Sequence, residues 1–214
     1  HYVAALRSVQ PDGPYYLGGH SFGALVAFEA AHILRNQGDE VALLAIMDMV
    51  APNYTLPDEK GDVLRPLLDT VGQIEQAFGV SLDINAADLA ALDRDERINY
   101  LFQQLQMIEL LPPDADISLV TNMIATEQAT NAALASYPTV VRMLDMSVVL
   151  FRAAETAVDA FPQQLPSLYS QSDMGWSQFV TGQLSVHTVP GDHFSMLAQT
   201  NATQLAEHLR AYLA

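Results

Sequence analysis

Tyr15-Tyr16-Leu17-Gly18-Gly19-His20-Ser21-Phe22-Gly23-Ala24, with the apolar run that follows it to about Gln37, decides how the chain is read. It contains Gly19-His20-Ser21-Phe22-Gly23, a G-x-S-x-G. That spacing suits a sharp strand-to-helix turn that lifts a serine hydroxyl above a sheet. The serine of such a turn takes a backbone conformation most residues avoid. The glycines two before and two after it are expected to remove Cβ atoms that would clash there. The pattern alone arises by chance about once in fifteen chains of this length, so its surroundings set its weight. Tyr15 to Leu17 read as a strand end. Gly23 to Arg35 read as an Ala-rich helix, apolar on most sides. Leu25, Phe28, Ala31 or His32, and Arg35 mark one side; Val26, Ala30, Ile33 and Leu34 fill the other. Gly38 can take the left-handed cap that ends it.

A helix this apolar belongs between layers. Glu40 to Met47 follow as a continuous apolar strand ending at Asp48, as expected of a parallel strand covered on both faces. Strand, turn, buried helix and strand make a βαβ unit, the context in which an α/β-hydrolase places its nucleophile elbow. The expected fold class is therefore α/β: an α/β-hydrolase with a mostly parallel sheet, helices on both faces and a helical lid insertion.

The rest of the chain fits that frame. Residues 1–9 read as the end of a helix and residues 10–14 as a turn. From 52 to 144 the strand signal disappears. Amphipathic helices are expected over 62–78, 94–110 and 115–136, broken by Pro112-Pro113 and Pro138. A block with its own helices is read as an insertion, since a loop of that length would be unusual. Strands resume at 146–153 and 183–189, separated by loop and a short turn of helix. After a turn at Pro190-Gly191-Asp192-His193 the chain is mostly helical to Ala214, with Asn201 as candidate N-cap. This divides the chain into hydrolase core at 1–51, lid at 52–144 and hydrolase core again at 145–214.

Composition narrows the function. The 214 residues contain no cysteine, which excludes disulfides, Cys-ligated zinc and thiol catalysis. The formal charge is −16 and Lys60 is the one lysine, so nucleic acid is a poor partner. The acidity suits solubility. No apolar run reaches the ~20 residues of a membrane span, and His1 does not open a signal peptide, so a cytoplasmic protein without membrane contact is expected.

A serine hydroxyl becomes nucleophilic when a base takes its proton, commonly a histidine held by a carboxylate. Such groups are sought at strand C-termini. Asp48 ends the strand after the elbow helix and His193 follows the last strand, giving the chain order Ser21, Asp48, His193. Glu155 and Asp159, after the 146–153 strand, are the rival acids. His187 lies within a strand and reads as structural. His1, His32 and His208 fall on expected helices and read the same way. His20 reads as support for the elbow or the pocket. The backbone N–H of Phe22 is one expected oxyanion-hole donor. The leading strands of a hydrolase sheet, and the second donor with them, are expected upstream of His1. No metal-ligand spacing is present, and neither a metal nor a directly bound cofactor is expected.

Three segments carry a family resemblance: Tyr16 to Glu29, Gly38 to Asp48, and Val189-Pro190-Gly191-Asp192-His193-Phe194-Ser195-Met196-Leu197. Together they resemble the C-terminal type I thioesterase domains of nonribosomal peptide synthetases. Related domains end polyketide synthases. In that family the acid follows the strand directly after the elbow helix, which favours Asp48. The resemblance implies that Ser21 accepts a peptidyl or acyl chain from the phosphopantetheine thioester of an upstream carrier domain. His193 would act as base, Asp48 would orient it, and a lid would cover the acyl-enzyme. Release would follow by hydrolysis, macrocyclisation or oligomerisation.

Other readings compete. A discrete type II editing thioesterase or small esterase commonly takes its acid from the later strand. Leu17-Gly18-Gly19-His20-Ser21 also resembles the phosphopantetheine attachment motif of carrier domains, where Ser21 would anchor the arm. A non-catalytic binding module of the same fold is the last alternative.

Overall fold

The computed structural model describes residues 1–52, 64–138, 142–155 and 166–213. In chain order the first elements are α1 (Tyr2–Val9), β1 (Tyr15–His20), α2 (Phe22–Asn36) and β2 (Val41–Met47). A run of helices follows: α3 (Arg65–Phe78), α4 (Ala86–Ala90), α5 (Arg94–Met107) and α6 (Ser118–Ala135). Then come β3 (Val148–Ala153), α7 (Pro166–Tyr169), β4 (Leu184–Val189) and α8 (Gln199–Arg210). Short 3-10 turns lie at Trp176–Gln178 and Ser195–Leu197.

The sheet has the order β1-β2-β3-β4, and every pairing is parallel. Leu17 stands opposite Leu44, Met47 opposite Phe151, and Ala153 opposite Val189. Composition follows position in the sheet. In β2 and β3, Ala42 is the one exposed residue, as both faces are covered. β1, the first strand in this order, alternates instead: Tyr15 and Leu17 are buried, and Tyr16 is 53% exposed.

One sheet face packs Leu43, Ala45, Val149, Phe151 and Val189 against Met196 and Leu205 of the C-terminal segment. The helix after the elbow is buried along most of its length, through Ala24, Leu25, Ala27, Phe28, Ala30, Ala31, His32 and Leu34. Gly38, at φ 90°, follows its end as read from the sequence. Phe28 meets Trp176 edge-on at 5.2 Å, and Trp176 meets Phe179 at 6.1 Å. The indole Nε1–H is not orphaned by this burial, since it donates to the Met49 carbonyl at 2.6 Å. Arg152, projecting from β3, donates to the carbonyls of Tyr169, Gln171 and Ser172 and so closes the turn after α7.

The chain divides into two compact units, His1–Thr55 with Pro138–Ala214, and Leu56–Tyr137. The second has its own core, formed by Leu67, Val71, Ile74, Leu82, Leu89, Leu101, Leu105, Val120 and Ile124. Those on α3, α5 and α6 recur at helical spacing, while Leu82 comes from the segment after α3 and Leu89 from α4. A capping box starts α5: the Asp93 side chain accepts from Glu96 N, and the Glu96 side chain accepts from Asp93 N.

The structure departs from the sequence reading in several places. The five-residue helix α4 was not expected. Its N-cap, Asn85, accepts from Asp88 N. Asn201 is not an N-cap: the extended backbone of Ala198 lets α8 start earlier, and Asn201 Nδ2 instead donates to the Ser195 carbonyl at 3.0 Å. The two glycines of the G-x-S-x-G are also unequal. A β-carbon on Gly19 would lie 2.0 Å from the Gly23 carbonyl oxygen and 2.5 Å from Ala24 N. One on Gly23 would meet nothing within 4 Å, because Gly23 stands on an open side of the first helical turn.

A difference in stability follows from this asymmetry. Gly19→Ala is expected to lower unfolding free energy by about 3 kcal/mol or more, or to prevent recovery of folded protein, because backbone must move. Gly23→Ala is expected to stay within about 1 kcal/mol of the parent and to stabilise, since alanine favours a helix. Urea midpoints of the two variants test this; comparable losses in both would contradict it.

Candidate active site

In a parallel sheet all strand C-termini share one edge, and the candidate residues stand along it. Ser21 follows β1 with φ 53° and ψ −132°, and it precedes α2 as its N-cap residue. Non-glycine residues rarely take this conformation. The N–H of Ser21 donates to the Met47 carbonyl at 3.0 Å, tying the turn to the end of β2. Phe22 opens α2, so its N–H is one of the first-turn donors that have no carbonyl four residues back to reach. The same helix end carries partial positive charge.

Asp48 follows β2, with φ 45°, and is 4% exposed. Its N–H donates to the Phe151 carbonyl at 2.8 Å. Its Oδ1 accepts from Ala153 N at 2.9 Å, and its Oδ2 lies 2.9 Å from His193 Nδ1. Both carboxylate oxygens are therefore engaged, as burial of a charge requires. A carboxylate at Nδ1 fixes the ring tautomer with its other nitrogen, Nε2, left as acceptor.

His193 is 4% exposed and sits in a loop that Asp192 builds. Asp192 Oδ1 accepts from Phe194 N at 3.0 Å and from Ser195 N at 2.8 Å. Ser195 Oγ donates to the same oxygen at 2.6 Å and accepts from Asp192 N at 2.9 Å. A β-carbon on Gly191, at φ 89°, would lie 2.7 Å from Ser195 Oγ and 2.6 Å from Asn201 Nδ2, so the loop closes on a bare backbone. Burial alone would raise the Asp192 carboxyl pKa. Hydrogen bonds from Ser195 and Phe194 outweigh it and hold the group below its ordinary value.

Of the rival acids, Glu155 is exposed, and its backbone N–H donates to the Gly191 carbonyl at 3.0 Å. Asp159 lies outside the described residues. Among the remaining histidines, His187 on β4 stacks on Phe151 and His208 and lies 2.7 Å from the Tyr212 hydroxyl, a structural setting as read. His32 is buried edge-on to Phe28, and His1 precedes α1 rather than lying in it. His20 is half-buried beside His193, with ring centroids 4.5 Å apart and its Nε2 2.8 Å from the His193 carbonyl oxygen. Burial, then the neighbouring His193, push the His20 pKa down. Sequence reading missed this contact and the loop built by Asp192. The Asp-x-x-Ser at 192–195, a common turn signature, was the available signal for the second; nothing local signals the first. Among the described residues no group of three His, Asp or Glu is placed to hold a metal ion, and no helix is long and apolar enough to cross a membrane.

A parallel sheet with an elbow serine, a buried carboxylate–histidine pair and elements on both faces defines an α/β-hydrolase. A helical carrier bundle is thereby set aside. The sequence profile of the thioesterase domain matches residues 1–213, and the chain belongs to that family of hydrolases. Chondramide synthase of Chondromyces crocatus is 30% identical over 213 residues, covering 97% of this chain and 5% of that protein. Vanchrobactin synthetase of Vibrio anguillarum is 29% identical over 211 residues, covering 99% of this chain and 6% of that protein. The chain thus spans a small fraction of the length of these synthetases. A solved four-domain nonribosomal peptide synthetase, bound to AMP and glycine, superposes with TM-score 0.80 at 29% identity, covering 97% of this chain and 15% of that one. The thioesterase domain that cyclises the lipopeptide antibiotic surfactin superposes at TM-score 0.62 and 18% identity, covering 99% of this chain and 73% of that one; it shares the fold.

The Asp192 loop carries a pH signature. A carboxyl with a lowered folded-state pKa stabilises the fold above its unfolded pKa of about 4, and that contribution is lost as pH falls through the folded value. Asp192→Asn is expected to be less stable than the parent at pH 7, with the gap closing as the pH falls below that of an ordinary carboxylate. Urea midpoints between pH 7 and 3 measure the gap, and a constant gap would contradict the assignment.

Proposed function

We propose that this domain releases a peptidyl or acyl chain from a phosphopantetheine thioester presented by a carrier domain of a larger cytoplasmic synthetase, through an ester on Ser21. The observation that carries this reading is the buried Asp48–His193 hydrogen bond, at the same sheet edge as the strained Ser21, in a chain of the thioesterase family. The relatives are multidomain synthetases, which supports delivery by a neighbouring domain.

In this reading His193 Nε2 takes the hydroxyl proton as Ser21 Oγ attacks the thioester carbonyl. The oxyanion forms against the Phe22 N–H at the α2 terminus. The C–S bond then breaks, and the proton held by His193 leaves with the thiol. His193 next takes a proton from water, or from an amine or hydroxyl of the chain itself, which attacks the ester carbonyl; the C–Oγ bond breaks and His193 returns the proton to Ser21 Oγ. Asp48 orients the ring and stabilises the imidazolium through Nδ1. No cofactor enters these steps, and phosphopantetheine arrives with the substrate.

The acid that meets His193, Asp48, follows the strand directly after the elbow helix. That supports the type I reading over an editing thioesterase or small esterase whose acid follows the later strand.

An acyl-N-acetylcysteamine thioester tests the assignment. Thiol release is expected from the parent, with an acyl mass increment on Ser21. Ser21→Ala is expected to lose about 10³-fold or more, and Asp48→Asn about 10³- to 10⁴-fold in kcat, by analogy with other triads. Glu155→Gln is expected to stay within about twofold, as expected of an exposed surface residue. Turnover surviving Ser21→Ala would remove the acyl-enzyme. A large loss in Glu155→Gln with Asp48→Asn near the parent would transfer the role of acid.

A further inference from the structure

We propose that His20 is a positioning residue for the base: its Nε2–H donates to the backbone carbonyl of His193 while its ring packs on the His193 imidazole, so the residue beside the nucleophile fixes the loop that carries the base. The inference rests on the reading of His193 as base.

A carbonyl oxygen only accepts, so at 2.8 Å His20 Nε2 is the protonated nitrogen, and this fixes the ring's tautomer. The contact joins residues 173 positions apart in sequence. The two restraints on His193 are complementary. Asp48 holds the side chain through Nδ1, which sets the direction of the ring. His20 holds the main chain, which sets where the ring starts. An imidazole anchored only through Nδ1 could still move with its loop, and displacement of a reacting group by about 1 Å can cost 10²-fold in rate.

The ring contact places a chemical demand on His20. Among the described residues, the charged and titratable groups that act on it are His193 and Asp48. When His193 carries the serine proton, a cationic His20 with its ring centroid 4.5 Å away would repel it. Burial disfavours the cation of His20. A neutral donor can therefore hold the carbonyl through the whole proton cycle without opposing it. A lysine or arginine could reach the same oxygen but would carry charge into the pair.

Two substitutions separate the donor from the ring. His20→Gln places an amide N–H at the position of Nε2 and removes the ring; His20→Phe keeps a ring and removes the donor. The readouts are the rate of Ser21 phosphonylation by a fluorophosphonate, and kcat and KM with the thioester. His20→Phe is expected to slow phosphonylation and kcat about 10- to 30-fold, with KM within twofold. His20→Gln is expected to recover to within about threefold of the parent. A parent-like rate in His20→Phe, or equal losses in both variants, would overturn the proposal. Failure of the parent itself to be labelled at Ser21 would instead overturn the reading of Ser21 and His193. Histidine ¹⁵N shifts of the unmodified protein supply a test that needs no variant: a neutral His20 protonated at Nε2 is expected, and protonation at Nδ1 would overturn the proposal.

Discussion

Between Gly19 and the first turn of α2 there is no room for a β-carbon, and the elbow depends on that contact. The Gly23 carbonyl would stand 2.0 Å from any Cβ at position 19. This closeness forces the chain to reverse within the three residues between them, and the reversal leaves Ser21 at φ 53°. The same reversal aims the N-terminus of α2, with its unpaired N–H groups, at the edge where the strands end. Position of the hydroxyl and position of the nearest anion-stabilising donors are thus one geometric fact. It also explains why one glycine of the pair is sterically required and the other is not.

Electrostatics imposes the second constraint. Asp48 and His193 are each 4% exposed, and an isolated carboxylate at that depth would be costly. The two Asp48 oxygens are met by Ala153 N and His193 Nδ1. Removing either partner leaves a buried acceptor without that donor, which is the expensive case. The pair is therefore held by the fold's own need to satisfy the carboxylate. A histidine oriented this way has its tautomer set before any substrate arrives.

How much of this could be read in advance depended on the range over which each residue acts. β2 and β3 were legible because a strand covered on both faces must be apolar throughout. The helices α3, α5 and α6 were legible because a one-sided core leaves a helical repeat. Asp48 and His193 stood out because parallel strands send their C-termini to one edge, and their mutual hydrogen bond is in the structure. Local signals misled where two readings fitted one residue. Asn201 suited a cap, and only the placement of the Ser195 carbonyl diverted it. Gly23 looked equivalent to Gly19 because a motif records spacing and not which side of a helix is open. The approach of His20 to the His193 carbonyl was beyond a linear reading, since that oxygen carries no side-chain signature and lies 173 residues away.

Ser21 at φ 53° and Asp48 at φ 45° are strained residues that follow the paired strand ends His20 and Met47. Each costs of order 1–3 kcal/mol. What holds them is a succession of hydrogen bonds that passes from each strand end to the next. Ser21 N reaches Met47, Asp48 N reaches Phe151, and Ala153 N reaches back to the Asp48 carboxylate. Ala154 N then reaches Val189, and Glu155 N reaches Gly191. At about 0.5–1.5 kcal/mol net apiece, these five offset strain of the size at issue. They also run as a continuous line from the β1 end to the loop bearing His193, which His20 closes from the other side. Strain at Ser21 is thus carried by the same bonds that fix the distance between elbow, acid and histidine. A substitution that relaxed either residue's backbone would loosen that line of bonds, so in this fold the cost of the strained turn and the order of the site cannot be separated.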